Sequence, residues 1–425
     1  MTERIISLIK TDGEICGYKL NVLNRQSYEL FFVHKNLETV RSTDTTDIKV
    51  TVYVSSGDKL GDASFPVYAS YTDGMIAAEI EKAKKRAFLA LNPAYPLPEN
   101  ESGEWELASN FKDYAPADLA EKIAESVFAA EDKYEGSVNA LEIFIYKDVV
   151  TVINSRGINK TETRYSAMAE AIPTWNGSEE SVELYDCYDF TEFSAEAISA
   201  EIEENMKMVR DRLAAKKPAE KLSCPVVLDC HELEQLFSEI ASNLNFSAVY
   251  KHVNAYSVGD SIQKAPTGDK LTVTMKGAMQ GSTGSALFDS DGCTTKDAKV
   301  ISEGVAVGCY GSVRYAYYLG EKPTGALNCI QAELGTLSPG ELRSSPYFRC
   351  ASMSGLQVDV YNDYIGGEVR LAYYFDGEKE IPLTGISISG KLSDALSSMR
   401  LANVEATREN YKGPAFALFE NVEIV

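Results

Sequence analysis

One stretch of the chain has residue types that could do metal chemistry, HELEQLFSEIASN at residues 231–243. It opens with His231 and Glu232, the pair that begins the zinc-protease motif H-E-x-x-H. In that motif two histidines four residues apart lie on one helix face and bind the same ion, and the glutamate activates zinc-bound water. Four residues after His231 the chain has Gln235. The pair therefore does not form a zinc site in its own register.

The same stretch has the spacing of an amphipathic helix, which we predict over residues 229–245. We expect Asp229 to cap this helix and its charged first turn, His231, Glu232 and Glu234, to lie in solvent. The apolar residues step at helical spacing and should face a core: Leu233, Leu236, Phe237, Ile240 and Leu244. Four polar residues share the opposite side: Ser238, Glu239, Ser242 and Asn243. That polar side is either a pocket wall or ordinary surface, and the residue types alone favour surface.

Other candidate sites lack the spacing that their chemistry needs. Cys224, Cys230 and His231 lie close in sequence, but their spacing matches no zinc pattern, which favours structural thiols. Asp289 and Asp291 in the segment FDSDG resemble the start of a calcium loop, yet the further oxygen ligands and the closing glutamate are missing. A turn is the simpler interpretation. No G-x-S-x-G elbow and no P-loop occur, although a Ser-His-Asp triad stays open because geometry rather than sequence defines it.

Composition excludes several classes of protein. With 41 Lys and Arg against 63 Asp and Glu, the net charge of −22 repels nucleic-acid phosphate and anionic membrane, so we expect neither as a direct partner. A hydrophobic content of 44% is enough for a sizeable core. Neither a run of about 18 apolar residues nor a signal peptide is recognised, and the eight cysteines are scattered. A cytoplasmic location is therefore expected.

The chain divides into an N-terminal and a C-terminal domain. Residues 1–215 contain two similar halves, about 1–95 and 105–215, each predicted as helix, hairpin and helix. The halves share the segments ELFFVHKNLETV and EIFIYKDVVTV, in which we place the hairpin turns at Lys35-Asn36 and Lys147-Asp148. From residue 222 to 425 short strands alternate in period two, interrupted by two helices, the one above and one around residues 393–400. The fold class is α+β, with a large, mainly antiparallel C-terminal sheet domain.

The ordered set of segments resembles the TldD/TldE family, also called the PmbA or "modulator of DNA gyrase" family. The segments that carry the resemblance are ELFFVHKNLETVRS, EIFIYKDVVTVINSRGI, CPVVLD, ALFDSDG, VISEGVAVGCYGSVRYAYYLG, PTGALNC, GISISGKLSDAL and GPAFALFENVEIV. The resemblance implies a cytoplasmic two-subunit zinc protease that cuts unfolded peptides in a chamber. Its TldD-type subunit carries H-E-x-x-x-H and a later cysteine ligand, whereas the TldE/PmbA-type subunit lacks them.

Aligned from the strand Val226-Val227-Leu228, the family's helix implies the site residues of this chain. The first zinc histidine falls on Ser238, the catalytic glutamate on Glu239 and the second histidine on Asn243. The later cysteine falls within residues 409–413, where the chain has none. Hydroxyl and carboxamide groups are poor zinc ligands compared with imidazole and thiolate. The resemblance therefore implies a TldE/PmbA-type subunit with no cofactor of its own and with zinc in a TldD-type partner.

Three hypotheses follow from the sequence. The first is this non-catalytic subunit of a zinc metallopeptidase, in which Ser242, Asp289 and Asp291 could line the chamber and exposed edge strands could hold extended substrate. The second is a self-sufficient hydrolase that uses Glu239. The third is a homodimeric peptide-binding scaffold.

Overall fold

The computed structural model describes residues 1–425 and contains nine α-helices and 24 strands. Most strand pairs are antiparallel, so the predicted α+β class is confirmed. No helix is long and apolar enough to cross a membrane.

Residues 1–215 build one nine-stranded sheet and four helices. The strands are β1 (Ile15–Val33), β2 (Asn36–Ser56), β3 (Lys59–Val67), β4 (Leu91–Pro93), β5 (Ser102–Glu106), β6 (Ser137–Asn154), β7 (Asn159–Asn176), β8 (Ser181–Glu183) and β9 (Asp186–Phe190). Their order is β4-β3-β2-β1-β6-β7-β5, and β8 and β9 pair with β7. The helices are α1 (Thr2–Ile9), α2 (Asp73–Leu89), α3 (Pro116–Glu131) and α4 (Ala195–Ala214).

All four helices of this region pack on the same face of the sheet. Leu20 of β1 belongs to a core with Ile5 of α1 and Ile76 of α2. Leu30 of the same strand belongs to a second core, built from α3 and α4. Residues an even number apart on an unbroken strand share a face. The opposite face of the sheet therefore carries no helix of residues 1–215, although a helix of the C-terminal region reaches it through the Arg314–Asp62 ion pair.

The predicted turn at Lys147-Asp148 is wrong. The first hairpin turns at residues 34–35, one residue before the predicted Lys35-Asn36 pair, but β6 runs unbroken through Lys147 and Asp148 and turns only after Asn154. Asp148 accepts hydrogen bonds from Arg25 Nε at 2.7 Å and Arg25 Nη2 at 2.6 Å on the neighbouring strand. A polar pair can therefore lie within a strand when a cross-strand partner holds its charge.

Residues 222–425 build two further sheets. One contains β10 (Val226–Asp229), β15 (Tyr347–Met353), β16 (Gln357–Asp359), β17 (Tyr364–Phe375), β18 (Glu380–Leu383), β19 (Ile386–Gly390), β20 (Arg400–Leu401), β23 (Phe416–Phe419) and β24 (Val422–Ile424). The other contains β11 (Val273–Lys276), β12 (Ala298–Ser302), β13 (Val305–Ala306), β14 (Cys329–Ala332), β21 (Glu405–Arg408) and β22 (Tyr411–Pro414). Their orders are β20-β23-β10-β15-β17-β19-β24, with β16 and β18 paired to β17, and β13-β12-β11-β14-β22-β21.

Five helices lie in this region, three more than predicted. They are α5 (Cys230–Ser242), α6 (Phe246–Lys251), α7 (Val313–Leu319), α8 (Pro339–Leu342) and α9 (Leu392–Ser398). The expected helices correspond to α5 and α9. Helix α5 packs against strands of both sheets, and its apolar residues share one core with Ile330 of β14 and Phe348 of β15. The helix that carries the candidate site is therefore held by both sheets.

Candidate functional site

Helix α5 exposes a narrow polar strip and buries the rest of its surface. Its apolar residues Leu233, Leu236, Phe237 and Ile240, with Leu244 beyond its end, are 0% exposed, which confirms the predicted apolar face. Of the four polar residues, Glu239 and Ser242 are exposed and Ser238 is half-buried. Asn243 is only 5% exposed. Three of the four residues on the polar face are therefore at least partly exposed to solvent, whereas Asn243 is buried.

The Asn243 side chain closes the end of α5. Its Nδ2 donates to the backbone carbonyl oxygen of Glu239 at 2.9 Å. Its Oδ1 accepts from the backbone N–H of Ala255 at 2.8 Å. The carboxamide thus joins the helix end to the segment after α6, and both of its polar atoms have partners. This contact holds the backbone in place at the position where the resemblance expects a zinc ligand.

The Glu239 carboxyl group makes no hydrogen bond within the chain, and Ser242 Oγ donates to the Glu239 backbone carbonyl oxygen at 2.8 Å. The turn of residues 409–413, where the resemblance places the later cysteine, lies in the β21–β22 hairpin beside α5. There the Asn410 Oδ1 atom accepts from Gly284 N–H at 2.7 Å and from Ser282 Oγ at 3.0 Å. Asn410 therefore joins the β21–β22 turn to the segment of residues 282–284.

These residues do not fit a zinc ion. A hydroxyl and a carboxamide are weak zinc ligands, and Asn243 would have to break two hydrogen bonds before it could bind one. No group of three or more His, Cys, Asp or Glu side chains lies close enough to hold a metal. Of the three positions that the resemblance assigns to the site, only Glu239, with its exposed carboxyl group, offers a group able to do chemistry.

The predicted solvated first turn of α5 is wrong. Only 7% of Glu232 is exposed, although His231 is exposed as expected. Asp229 is the residue before the helix, but its side chain makes no capping bond and instead accepts from Arg349 Nε at 2.9 Å. Glu232 is buried among Asp229 of β10, Arg349 of β15 and Arg408 of β21, and the helical pattern alone does not reveal this second buried face.

Asp289 and Asp291 form a closed turn at the contact between the two regions of the chain. Asp289 is buried, and its carboxylate accepts from the backbone N–H groups of Asp291, Cys293 and Ala326 at 2.9, 3.0 and 3.1 Å. Asp291 pairs with Lys19 of β1. The turn interpretation agrees with this geometry. Lining of a chamber by Ser242, Asp289 and Asp291 stays a prediction.

A further contact at this boundary involves Lys160, which the sequence did not single out. Lys160 of β7 is 0% exposed, and its Nζ donates to Thr294 Oγ1 at 2.6 Å and pairs with Glu101 at 2.7 Å. Nearby, Leu287 N–H donates to Glu162 Oε2 at 2.8 Å. Buried polar contacts of this kind fix the FDSDG turn against the N-terminal sheet.

Comparison with known proteins identifies a family for the C-terminal region. Residues 221–425 match the family profile described as the PmbA/TldA metallopeptidase C-terminal domain. A sequence search of curated proteins gives no match.

Solved structures with the same fold cover nearly the whole chain. TldE from Thermococcus kodakarensis aligns with a TM-score of 0.81 at 16% identity, over 100% of this chain and 99% of that one. A protein from Bacteroides thetaiotaomicron, described as a modulator of DNA gyrase, aligns with a TM-score of 0.80 at 16% identity, over 99% and 97%. A protein of the same description from Thermotoga maritima aligns with a TM-score of 0.77 at 15% identity, over 100% and 99%. Residues 221–425 therefore belong to the PmbA/TldD metallopeptidase family, and the whole chain shares the fold of the TldE and gyrase-modulator structures.

Proposed function

We propose that the chain is a TldE/PmbA-type subunit, without a catalytic metal of its own, of a cytoplasmic peptidase that cuts unfolded peptides. A TldD-type subunit would be its partner and would supply the zinc. The observation that carries the proposal is the Asn243 carboxamide, whose two polar atoms are both engaged with the backbone of its own chain. The resemblance aligns this residue with a metal-ligand position of the family.

The architecture of α5 supports this role. The helix keeps the packing that a metal site needs, because its apolar face is completely buried between two sheets. Its exposed strip keeps Glu239 but offers no imidazole or thiolate beside it. A helix that is rigidly held yet has no strong metal ligand near Glu239 suits a subunit that shapes a chamber rather than one that performs the hydrolysis.

The face of the N-terminal sheet opposite helices α1–α4 supports a role in holding peptide. Phe31 of β1 and Phe144 of β6 lie edge to face at 5.5 Å on this face, and Tyr146 stacks beside Phe144 at 6.3 Å. All three rings are half-buried. Rigid aromatic surface of this kind contacts varied side chains at a low cost in conformational entropy. We propose that this face is part of the chamber wall.

Peptidase assays on an unfolded peptide test the proposal. The isolated chain is expected to show no cleavage, and cleavage should appear only when a TldD-type subunit carrying H-E-x-x-x-H is added. Glu239→Gln in this chain should leave the activity of the mixture within about twofold. Cleavage by the isolated chain that Glu239→Gln abolishes would instead establish the self-sufficient hydrolase.

A further inference from the structure

A cleft of about 720 Å³ lies where the N-terminal sheet region meets the C-terminal sheets. Helix α4 and strand β9 contribute one wall, and β15, β21 and the first turn of α5 contribute the other. The cleft does not contain Ser238, Glu239 or Asn243. Its size is that of a site for a small organic molecule or a few peptide residues.

The charged groups of the cleft are unevenly matched. Its walls carry four arginines and seven carboxyl groups. Three arginines are already engaged: Arg349 pairs with Asp229 at 2.8 Å, Arg343 with Glu380 at 3.1 Å, and Arg408 with Glu201 at 2.9 Å and Asp186 at 3.2 Å. The fourth, Arg370, donates to Ser354 Oγ at 3.0 Å. The cleft therefore has more carboxyl groups than its own cations can neutralise.

Glu232 is the carboxyl group without a partner. It lines the cleft with 7% of its surface exposed, and no other residue donates a hydrogen bond to its side chain. The ionisable groups around it are Asp229 of β10, Cys230 of α5, Arg349 and Cys350 of β15 and Arg408 of β21. Both arginines pair with other carboxylates, although Nε of Arg408 has no hydrogen-bond partner. The only hydrogen bond to the Glu232 carboxyl group comes from its own backbone N–H, so a cation that enters the cleft can pair with it.

We propose that this cleft is a binding site for an organic cation, in which the ammonium or guanidinium group of a peptide pairs with Glu232. A lysine or arginine side chain and a free peptide amino terminus share this chemistry. A metal ion fits less well, because no three ligand side chains come together here. The site is independent of the peptidase role, because binding is a property of the isolated chain.

Binding of a cation at this position releases a proton. Burial, reinforced by the charge of Asp229, raises the pKa of Glu232 to about 8, so its carboxyl group is mostly protonated at pH 7. A bound cation favours the carboxylate and expels that proton into solvent. The affinity for a permanent cation should then rise nearly tenfold per pH unit between pH 6 and 7.5 and level off above pH 8.

Three capped tripeptides distinguish the sources of the cation in titration calorimetry with the full-length chain. Acetyl-Ala-Lys-Ala-amide presents a side-chain ammonium, Ala-norleucine-Ala-amide presents a free amino terminus, and acetyl-Ala-norleucine-Ala-amide presents neither. At least one of the first two should bind at least tenfold tighter than the third at pH 7. Buffers of different ionisation enthalpy should report about 0.9 proton released per ligand bound. A side-chain ammonium keeps its affinity above pH 8, whereas a peptide amino terminus loses affinity there as it deprotonates.

Two glutamate variants of the same helix complete the test. Glu232→Gln should weaken binding at least tenfold and abolish the proton release. Glu234→Gln is the matched control: burial and Glu409 raise the pKa of Glu234 to about 7, yet it does not line the cleft, so this variant should bind and release protons like the parent. A folded Glu232→Gln chain, verified by circular dichroism, that binds like the parent overturns the site, as does equal binding of all three peptides.

Discussion

Replacing Glu232 with glutamine should make the chain more stable at alkaline pH, because the parent protein must ionise a buried carboxyl group there. Burial and the neighbouring Asp229 raise the pKa of Glu232 to about 8 in the folded state, whereas the same group titrates near 4.5 when exposed. Between these values the folded chain binds the proton more tightly than the unfolded chain. The free energy of unfolding therefore falls as the pH rises from about 4.5 to 8.

The size of this effect follows from the two pKa values of Glu232. Each pKa unit corresponds to about 1.4 kcal/mol, so the contribution of Glu232 to the free energy of unfolding should fall by about 3 kcal/mol between pH 5.5 and pH 8.5. Glutamine keeps the shape of the protonated side chain and cannot ionise. The advantage of Glu232→Gln over the parent should thus grow by about 3 kcal/mol over this range, which corresponds to roughly 6–12 °C in melting temperature for a region of this size.

Differential scanning calorimetry of parent and variant at pH 5.5 and pH 8.5 measures this growth. Glu239→Gln, at an exposed position of the same helix, is the matched control and should stay within about 0.5 kcal/mol of the parent at both pH values. A difference between Glu232→Gln and the parent that is the same at both pH values would refute the assignment of Glu232 as a buried, unpaired carboxyl group.

Three substitutions test the remaining structural claims through the melting temperature. Asn243→Ala removes the contacts with Glu239 and Ala255 and should lower the free energy of unfolding by about 1–3 kcal/mol. Ser242→Ala removes only one exposed hydrogen bond and should lower it by less than about 1 kcal/mol. Equal losses in the two variants would contradict the role of Asn243. Gly292→Ala places a methyl group 2.6 Å from Ile158 Cγ2 at a φ of 81°, so it should cost about 1–3 kcal/mol, and an unchanged melting temperature would show that the turn can move. Leu236→Ala in the core of α5 should cost about 2–5 kcal/mol, and a loss below about 1 kcal/mol would mean that the helix is not held as described.

The sequence predicts those helices and strands whose own residues show, by their type and spacing, which side is buried. Helix α5 was found because Leu233, Leu236 and Ile240 recur at helical spacing, and the first hairpin because its strands are rich in β-branched and aromatic residues. The short helices α6, α7 and α8 were missed because four to seven residues are too few to show a helical period. The Lys147-Asp148 pair was taken for a turn because its partner Arg25 lies 123 positions away in the chain.

The candidate site was only partly predictable for the same reason. The sequence placed Glu239 and Ser242 on a polar face, and the structure exposes both. It gave no sign that Asn243 would be bonded to Ala255, because that contact depends on how the chain returns after α6. The burial of Glu232 was missed because the groups that surround it come from distant strands, with Arg349 on β15 and Arg408 on β21. The packing of distant strands, rather than the local sequence pattern, therefore decides which charged side chain is buried.

The zinc content of the isolated chain tests the central claim most directly. The purified protein is dialysed against a zinc buffer that holds the free ion at trace concentration, and bound metal is measured by inductively coupled plasma mass spectrometry with a TldD-type subunit as the positive control. We expect less than about 0.1 zinc per chain here and close to one in the control. One tightly bound zinc per chain, lost on substitution of Glu239, would contradict the proposal of a subunit without its own catalytic metal.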